Sequence, residues 1–222
     1  MYLAIFLYFI VFSSCSSVFL KGTLVIFPAE RKEVVIQLVN SSDNSSLVQG
    51  WVDEGNLDST PNSTQAPFIV TPPVVKLNFR AGAKLYIRRL ANQLPTDREF
   101  VFYLNVLDIP PKLTNLKTEN TLQLALRTRI KLFYRPQNIS KTSQDVADHI
   151  KINQSGKTLF IANPTAYFFT MSALYNQIKD NVLSDTVMLP PFSQQTVENK
   201  GHIDLDNEVW VEYINDEGQF VN

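Results

Sequence analysis

Cysteine is nearly absent: Cys15 is the single one in 222 residues, so the chain cannot close a disulfide within itself. Two histidines are too few for a histidine-built metal site. Seven glycines exclude a collagen-like chain, and none of them forms a phosphate-cradling loop. Charge is sparse as well, at 18% of residues against the roughly 25% usual for a soluble domain. With 20 basic and 21 acidic side chains the net charge is −1, which lacks the basic excess of a dedicated nucleic-acid binder. Apolar and aromatic residues are abundant instead: 45% of the chain is hydrophobic, with 15 Phe and 8 Tyr. Such a composition folds rather than remaining disordered, and the length suffices for one large core or two ordinary ones.

Residues 2–12, YLAIFLYFIVF, form an uncharged apolar run that gives way to the small residues SSCSS. About 11 residues cannot cross a bilayer, which takes roughly 20. The run fits the apolar part of a secretory signal occupying residues 1–16, with Ser14 and Ser16 three and one before a cut that leaves Ser17 first. A positive charge ahead of the run is missing. Two other readings stay open: a buried first element, and lipidation at Cys15. On the signal reading the mature chain is exported, cysteine-free, not inserted in a membrane, and must fold in an oxidising compartment without a disulfide.

Period-2 alternation dominates the remainder. In Glu33–Val39 the even positions are apolar, and Phe100, Phe102, Leu104 and Val106 repeat the pattern, as do Leu122, Leu124 and Leu126. Runs of this kind are strands with one face in a core. Turn-rich stretches at Asn40–Ser46, Asp58–Pro67 and Pro110–Asn120 separate them, and no long helical stripe interrupts. Many short strands at roughly 10-residue spacing predict an all-β chain of β-sandwiches. Arg135-Pro136 ends the strand-like Leu122–Tyr134, and a polar stretch follows before β-patterning resumes at Lys157–Ala162. This places one domain at 17–136 and a second at 137–222, the second with strands at Tyr167–Ala173, Thr186–Leu189 and Val209–Ile214.

Catalytic constellations are not evident. His149 beside Asp148, and His202 near Asp204, sit in polar, turn-like sequence, and no Gly-x-Ser-x-Gly nucleophile elbow occurs. Paired cysteines and His-Glu-x-x-His are missing too. Both histidines read as surface residues, and the chain is expected to be no enzyme and to need no cofactor or metal. Five Asn-x-Ser/Thr triplets, at Asn40, Asn44, Asn62, Asn138 and Asn153, arise readily in a chain this rich in Ser and Asn.

The most informative stretch is Asn120–Pro136, NTLQLALRTRIKLFYRP. Its even positions read Leu122, Leu124, Leu126, Thr128, Ile130 and Leu132, while the opposite face carries Gln123, Ala125, Arg127, Arg129 and Lys131. Together with Leu104–Pro111, LNVLDIPP, this block resembles the periplasmic pilus chaperones of the chaperone–usher pathway. Thr71-Pro72-Pro73-Val74, Ala81-Gly82-Ala83-Lys84, Leu94–Glu99 with Phe102-Tyr103, Ala162-Asn163-Pro164-Thr165 and Tyr213–Asp216 resemble further family blocks, in order. The likeness spans nearly the whole mature chain. The short loop Lys112–Asn120, without flanking cysteines, resembles the short-loop branch.

The resemblance implies two immunoglobulin-like domains set as a boomerang. It further implies a periplasmic chaperone that lends the strand bearing Leu122, Leu124 and Leu126 to the open groove of a pilin subunit, then passes the subunit to an outer-membrane usher. Phe19 would pack along the pilin edge, and the exposed donor strand invites self-association of the free protein. Lys131 falls on the family lysine that grips the pilin's terminal carboxylate, whereas Leu24 stands where the family has the partnering arginine. Leu cannot replace a bidentate guanidinium, and Arg129, on the same strand face as Lys131, is the nearby candidate to compensate but is not expected to have the geometry for it. Glu99, Arg135 and Asp216 fall on an interdomain charge network. The competing reading is an extracellular immunoglobulin-like adhesion or receptor module whose leucine strand lies in its own core.

Overall fold

The structure is a computed structural model that describes residues 18–90, 94–111, 123–139, 143–176, 180–183, 185–198 and 209–222. Its first half holds β1 (Val18–Leu20), β2 (Leu24–Pro28), β3 (Glu33–Asn40), β4 (Ser46–Asp53), β5 (Phe68–Thr71), β6 (Val74–Leu77), β7 (Gly82–Arg89), β8 (Phe100–Ile109) and β9 (Leu126–Arg135). After the short helix α1 (Ser143–Ala147) come β10 (Lys151–Ser155), β11 (Thr158–Asn163), β12 (Phe169–Tyr175) and β13 (Val187–Leu189). Strands β14 (Ser193–Glu198), β15 (Trp210–Ile214) and β16 (Phe220–Val221) complete the chain.

Two β-sandwiches result, as the alternation predicts. In the first, a sheet of order β1-β3-β7-β5 packs on a sheet of order β2-β9-β8-β4-β6; the second combines β10-β11-β14 with β13-β12-β15-β16. Each sandwich has its own core, because alternate residues of both sheets point inward. Phe27, Phe68, Phe102 and Tyr134 form an edge-packed aromatic cluster at the centre of the first, with Phe27–Phe68 and Phe68–Phe102 centroids 5.3 and 5.0 Å apart. The buried Tyr134 hydroxyl is satisfied by Arg89 Nη1 at 2.8 Å. Leu159, Ile161, Met171, Leu174 and Leu189 fill the second core. Beside it the fully buried Asn163 ties down a turn: Nδ2 donates to Tyr167 O at 2.7 Å, and Oδ1 accepts from Thr165 N and Oγ1. Burying that amide is tolerated because both its ends are paired.

The chain crosses between the sheets of the first sandwich at each step from β1 to β8, and two of these crossings are the shortest. Lys21-Gly22-Thr23 carries it from β1, antiparallel to β3, to β2, parallel to β9. Gly22 makes that crossing at φ 124°, a conformation side chains with a Cβ resist. Thr71-Pro72-Pro73-Val74 makes the second, from β5 to β6.

The two sandwiches meet where the β15–β16 turn reaches the β1–β2 crossing. Thr23 Oγ1 donates to Gly218 O at 3.3 Å, and Gly218 has φ 76°. A methyl at Gly218 would collide with Thr23 Oγ1, whereas Gly156, at φ 59°, has open space around it. Gly156→Ala is therefore expected to cost only the backbone penalty of about 1–2 kcal/mol. Gly218→Ala should cost roughly 1 kcal/mol more, since Thr23 must move as well. Chemical denaturation of the two variants checks the difference.

Candidate functional site

The site grows from an unequal pairing of β9. Its partner β8 runs beside it from Phe100↔Tyr134 to Asp108↔Leu126. On the other side β2 pairs only from Leu24↔Lys131 to Pro28↔Arg135. Among the described strands, residues 126–130 of β9 thus have a neighbour on one side only, and their other edge is open. An unpaired edge carries a row of backbone donors and acceptors that a further strand can satisfy.

The even-numbered face changes character along the same strand. Leu132 is fully buried and Ile130 packs against the first core, but Leu126 and Leu124 are 48% and 64% exposed. Leu126 lies on the core-facing side of the sheet, beyond the point where the core ends, and Leu124 precedes the strand. Among the described residues the strand starts at Leu126: β8 stops at Ile109, Pro110 offers no N–H, and the ladder with β8 ends at Asp108↔Leu126. Gln123 Nε2 donating to Pro110 O at 2.7 Å holds the approach to the strand. Leu122, the loop Lys112–Asn120 and the apolar run at the N-terminus lie outside the described residues.

At the point where β2 begins, the edge runs into a cleft between the domains with a volume of about 290 Å³. Its walls are mainly apolar, among them Leu24, Ile130, Phe168, Ile214 and Phe220. Phe133 meets Phe168 across the junction, with tilted rings whose centroids are 5.5 Å apart. Three cations line the cleft, and two are neutralised. Arg135 Nε donates to Glu99 Oε1 at 2.6 Å, while its Nη1 and Nη2 donate to both Asp216 oxygens at 2.6 and 2.9 Å. Glu99 is almost fully buried and spans the domains, since its Oε2 accepts Phe168 N–H at 2.9 Å and its N–H reaches Ala166 O. Burial pushes the Glu99 carboxyl above the usual range despite the adjacent guanidinium. The structure brings Glu99, Arg135 and Asp216 into one hydrogen-bonded group.

Arg129 is the second neutralised cation. It makes a bidentate pair with Asp53, at 3.0 and 2.6 Å, and its Cζ sits over the Tyr103 ring, 3.6 Å from the centroid. It is therefore not available to replace the arginine that Leu24 displaces. Arg127 is also engaged, to Asn105 Oδ1 and Leu57 O. The basic face legible in the sequence is thus largely paid off internally, by an acid at the end of β4 that sequence reading passed over.

Lys131 is the exception. Among the described residues no carboxylate lies within ion-pair distance of its Nζ, and burial holds its pKa below the ordinary 10.5. Leu24 sits directly opposite it in register. A half-buried ammonium without a counterion, in an apolar cleft at the end of an open strand edge, is suited to one anionic group. His149 is exposed beside α1 with Nδ1 2.6 Å from Asp145 O, and His202 lies outside the described residues. No group of three or more His, Cys, Asp or Glu among the described residues could hold a metal.

Residues 17–140 match the N-terminal domain of PapD, described as a pili and flagellar-assembly chaperone, and residues 145–222 match the C-terminal domain of the pili assembly chaperone PapD. The probable fimbrial chaperone YehC of Escherichia coli strain K12 is 37% identical over 221 residues, covering 99% of this chain and 91% of its own. The chaperone protein HifB of Haemophilus influenzae is 38% identical, covering 93% and 86%. Among solved structures, the Salmonella enterica SafA pilin–SafB chaperone complex aligns with TM-score 0.80 at 26% identity, covering 93% of each chain. The YadV chaperone aligns with TM-score 0.75 at 34% identity, covering 92% of this chain and 96% of its own. These likenesses give no support to an extracellular adhesion or receptor module. The chain belongs to the pilus-assembly chaperone family, whose members are assembly chaperones and not enzymes.

Proposed function

We propose that the protein binds pilin subunits by completing their fold along the open half of β9, with the subunit's C-terminus seated at Lys131. The observation that carries this reading is the coincidence of three features on one edge: among the described residues, backbone at 126–130 without a second neighbouring strand, exposed leucines at 124 and 126, and an ammonium without a carboxylate partner where the edge ends. Strand addition draws affinity from main-chain hydrogen bonds and specificity from alternate side chains entering pockets. Polarity follows from charge. A strand running parallel to β9, in line with β2, brings its terminal carboxylate to Lys131; an antiparallel strand would bring an ammonium there. Leu122 is assigned to the same donor face. Glu99, Arg135 and Asp216 are assigned the role of holding the domain angle that shapes the cleft.

Leu24 makes the clamp a one-cation clamp. The carboxylate then meets a single point charge beside an apolar wall rather than a bidentate fork, and Leu24→Arg should strengthen capture. Delivery to an outer-membrane usher, residence in the periplasm and pairing of two free copies through the β9 edge belong to the same proposal. One solved relative, SfaE, is described as a periplasmic chaperone.

The test is capture of a groove-bearing pilin by the purified protein, compared with the same pilin lacking its terminal residues. Lys131→Met is expected to weaken binding roughly 10- to 100-fold, the scale of a charge-assisted hydrogen bond. The pH dependence has a defined sign. Burial disfavours the ammonium, so the carboxylate-binding form is lost as pH rises through a value below 10.5, earlier than for an exposed lysine. Lys131→Met should abolish that dependence. Undiminished capture by Lys131→Met, or a pilin seated away from Leu124 and Leu126, would overturn the reading.

A further inference from the structure

The outward face of β9 carries a cluster that strand donation as described does not use. Asp53, at the end of β4, has a fully buried side chain that gathers four donors: Arg129 Nε and Nη2 at 3.0 and 2.6 Å, Asn105 Nδ2 at 2.7 Å, and Gly55 N–H at 2.6 Å. Arg127 Nη2 lies 3.6 Å away. Arg127 in turn joins β8 through Asn105 Oδ1 at 2.9 Å and the loop after β4 through Leu57 O at 2.6 Å. Each guanidinium is stacked, Arg129 over Tyr103 at 3.6 Å and Arg127 over Trp51 at 4.9 Å.

The geometry of this cluster is diagonal. Arg129 stands opposite Asn105 and Arg127 opposite Leu107, yet each reaches two residues along β8, to Tyr103 and Asn105 respectively. Both side chains lean toward the C-terminal end of β9 and are braced on β4. They emerge from the half of the strand that lacks β2 as a neighbour. A strand paired on one side, with exposed leucines on its other face, has little packing to keep it extended and in register. Slippage by one residue would send Leu124 and Leu126 to the wrong face. Asp53, Asn105 and the Leu57 carbonyl hold the two guanidiniums that rise from this half of the strand.

We infer that Asp53 is a positioning residue for strand donation, holding residues 126–130 of β9 extended and in register through Arg129 and Arg127 before a pilin arrives. The inference rests on the strand-donor reading and adds the device that presents the strand. An edge held in its bound conformation does not lose that conformational freedom on binding. Burial, which would raise the Asp53 pKa, is outweighed by the hydrogen bonds of Arg129, Asn105 and Gly55, so the carboxylate stays ionised.

The test compares the parent chain, Asp53→Asn and Arg129→Lys by residue-resolved amide exchange and by pilin binding kinetics, at a temperature where each is natively folded. Asp53→Asn should speed exchange at 126–130 while β2 and the remainder of β8 keep their protection. It should also weaken pilin binding roughly tenfold or more, mainly through slower association, as expected when pre-organisation is lost. Arg129→Lys, which keeps the charge but not the fork, should fall between; it decides the matter if Asp53→Asn does not fold. Uniformly faster exchange over β4, β8 and β9, or unchanged exchange and association in the variants, would overturn the inference while leaving strand donation standing. A parent chain that binds no pilin would overturn both.

Discussion

Replacing both Leu124 and Leu126 with Ser should leave the protein as stable as the parent and cut its affinity for pilin by roughly 20- to 200-fold. Full burial of a leucine is worth about 1.5–3 kcal/mol, and these two are already partly covered in the free chain. With 64% and 48% of their surfaces exposed, the burial still to be gained is on the order of 2–3 kcal/mol for the pair. At about 1.4 kcal/mol per decade that gives the stated range. Stability is spared because neither side chain belongs to either core. Leu132→Ser is the counterpart: the same strand and the same face, but fully buried, so it should unfold the domain before it reports on binding. Equilibrium denaturation beside pilin titration separates the two. Full affinity in the double serine variant would remove the leucines from the binding surface.

Arg135→Ala is expected to cost about 3 kcal/mol, the lower end of the range for breaking a buried ion pair, because Arg135 and Asp216 retain some solvent contact. The cost arises mostly at Glu99. Without the guanidinium its buried carboxylate keeps only the Phe168 N–H as a described partner, and Asp216 loses both of its bonds. The sign of the pH dependence identifies the cause. Glu99 already titrates above its ordinary value, and removing a cation raises it further. A carboxyl whose folded pKa exceeds its unfolded one binds its proton more tightly in the native state, so lowering the pH through that range stabilises the fold. The deficit of Arg135→Ala should therefore narrow as pH falls from neutral toward the elevated Glu99 pKa. A constant deficit would place the loss at Asp216 or in the packing of Arg135 on Tyr167. Solution scattering should show a wider spread of domain angles, since Glu99 and Asp216 belong to different domains.

The alternation of β3, β8 and β9 was readable because a strand with one buried face must repeat every second residue, whatever the rest of the chain does. The boundaries were less so. Leu122 and Leu124 continue the apolar period of Leu126 without interruption, yet among the described residues the ladder begins only at Leu126, because pairing depends on where β8 ends and not on the residues of β9. The charges illustrate the same limit. Arg127, Arg129 and Lys131 look alike at alternate positions of one strand face, and among the described residues only Lys131 has no carboxylate within ion-pair distance. What separates them is Asp53, 76 residues away from Arg129 in sequence and adjacent in space.

Sequence patterning alone determined an all-β chain with two cores and the face on which Leu124 and Leu126 continue the apolar period, since each depends on local periodicity; Leu24 stood out only through the family resemblance. The tertiary structure decided which half of β9 has β2 beside it, which cations pair with a carboxylate among the described residues and where Asp53 meets Arg129 and Arg127. Those outcomes depend on the length of β2, on the reach of a single buried carboxylate and on the meeting of two domains. They are differences between neighbours in space, which the order of residues along the chain does not carry.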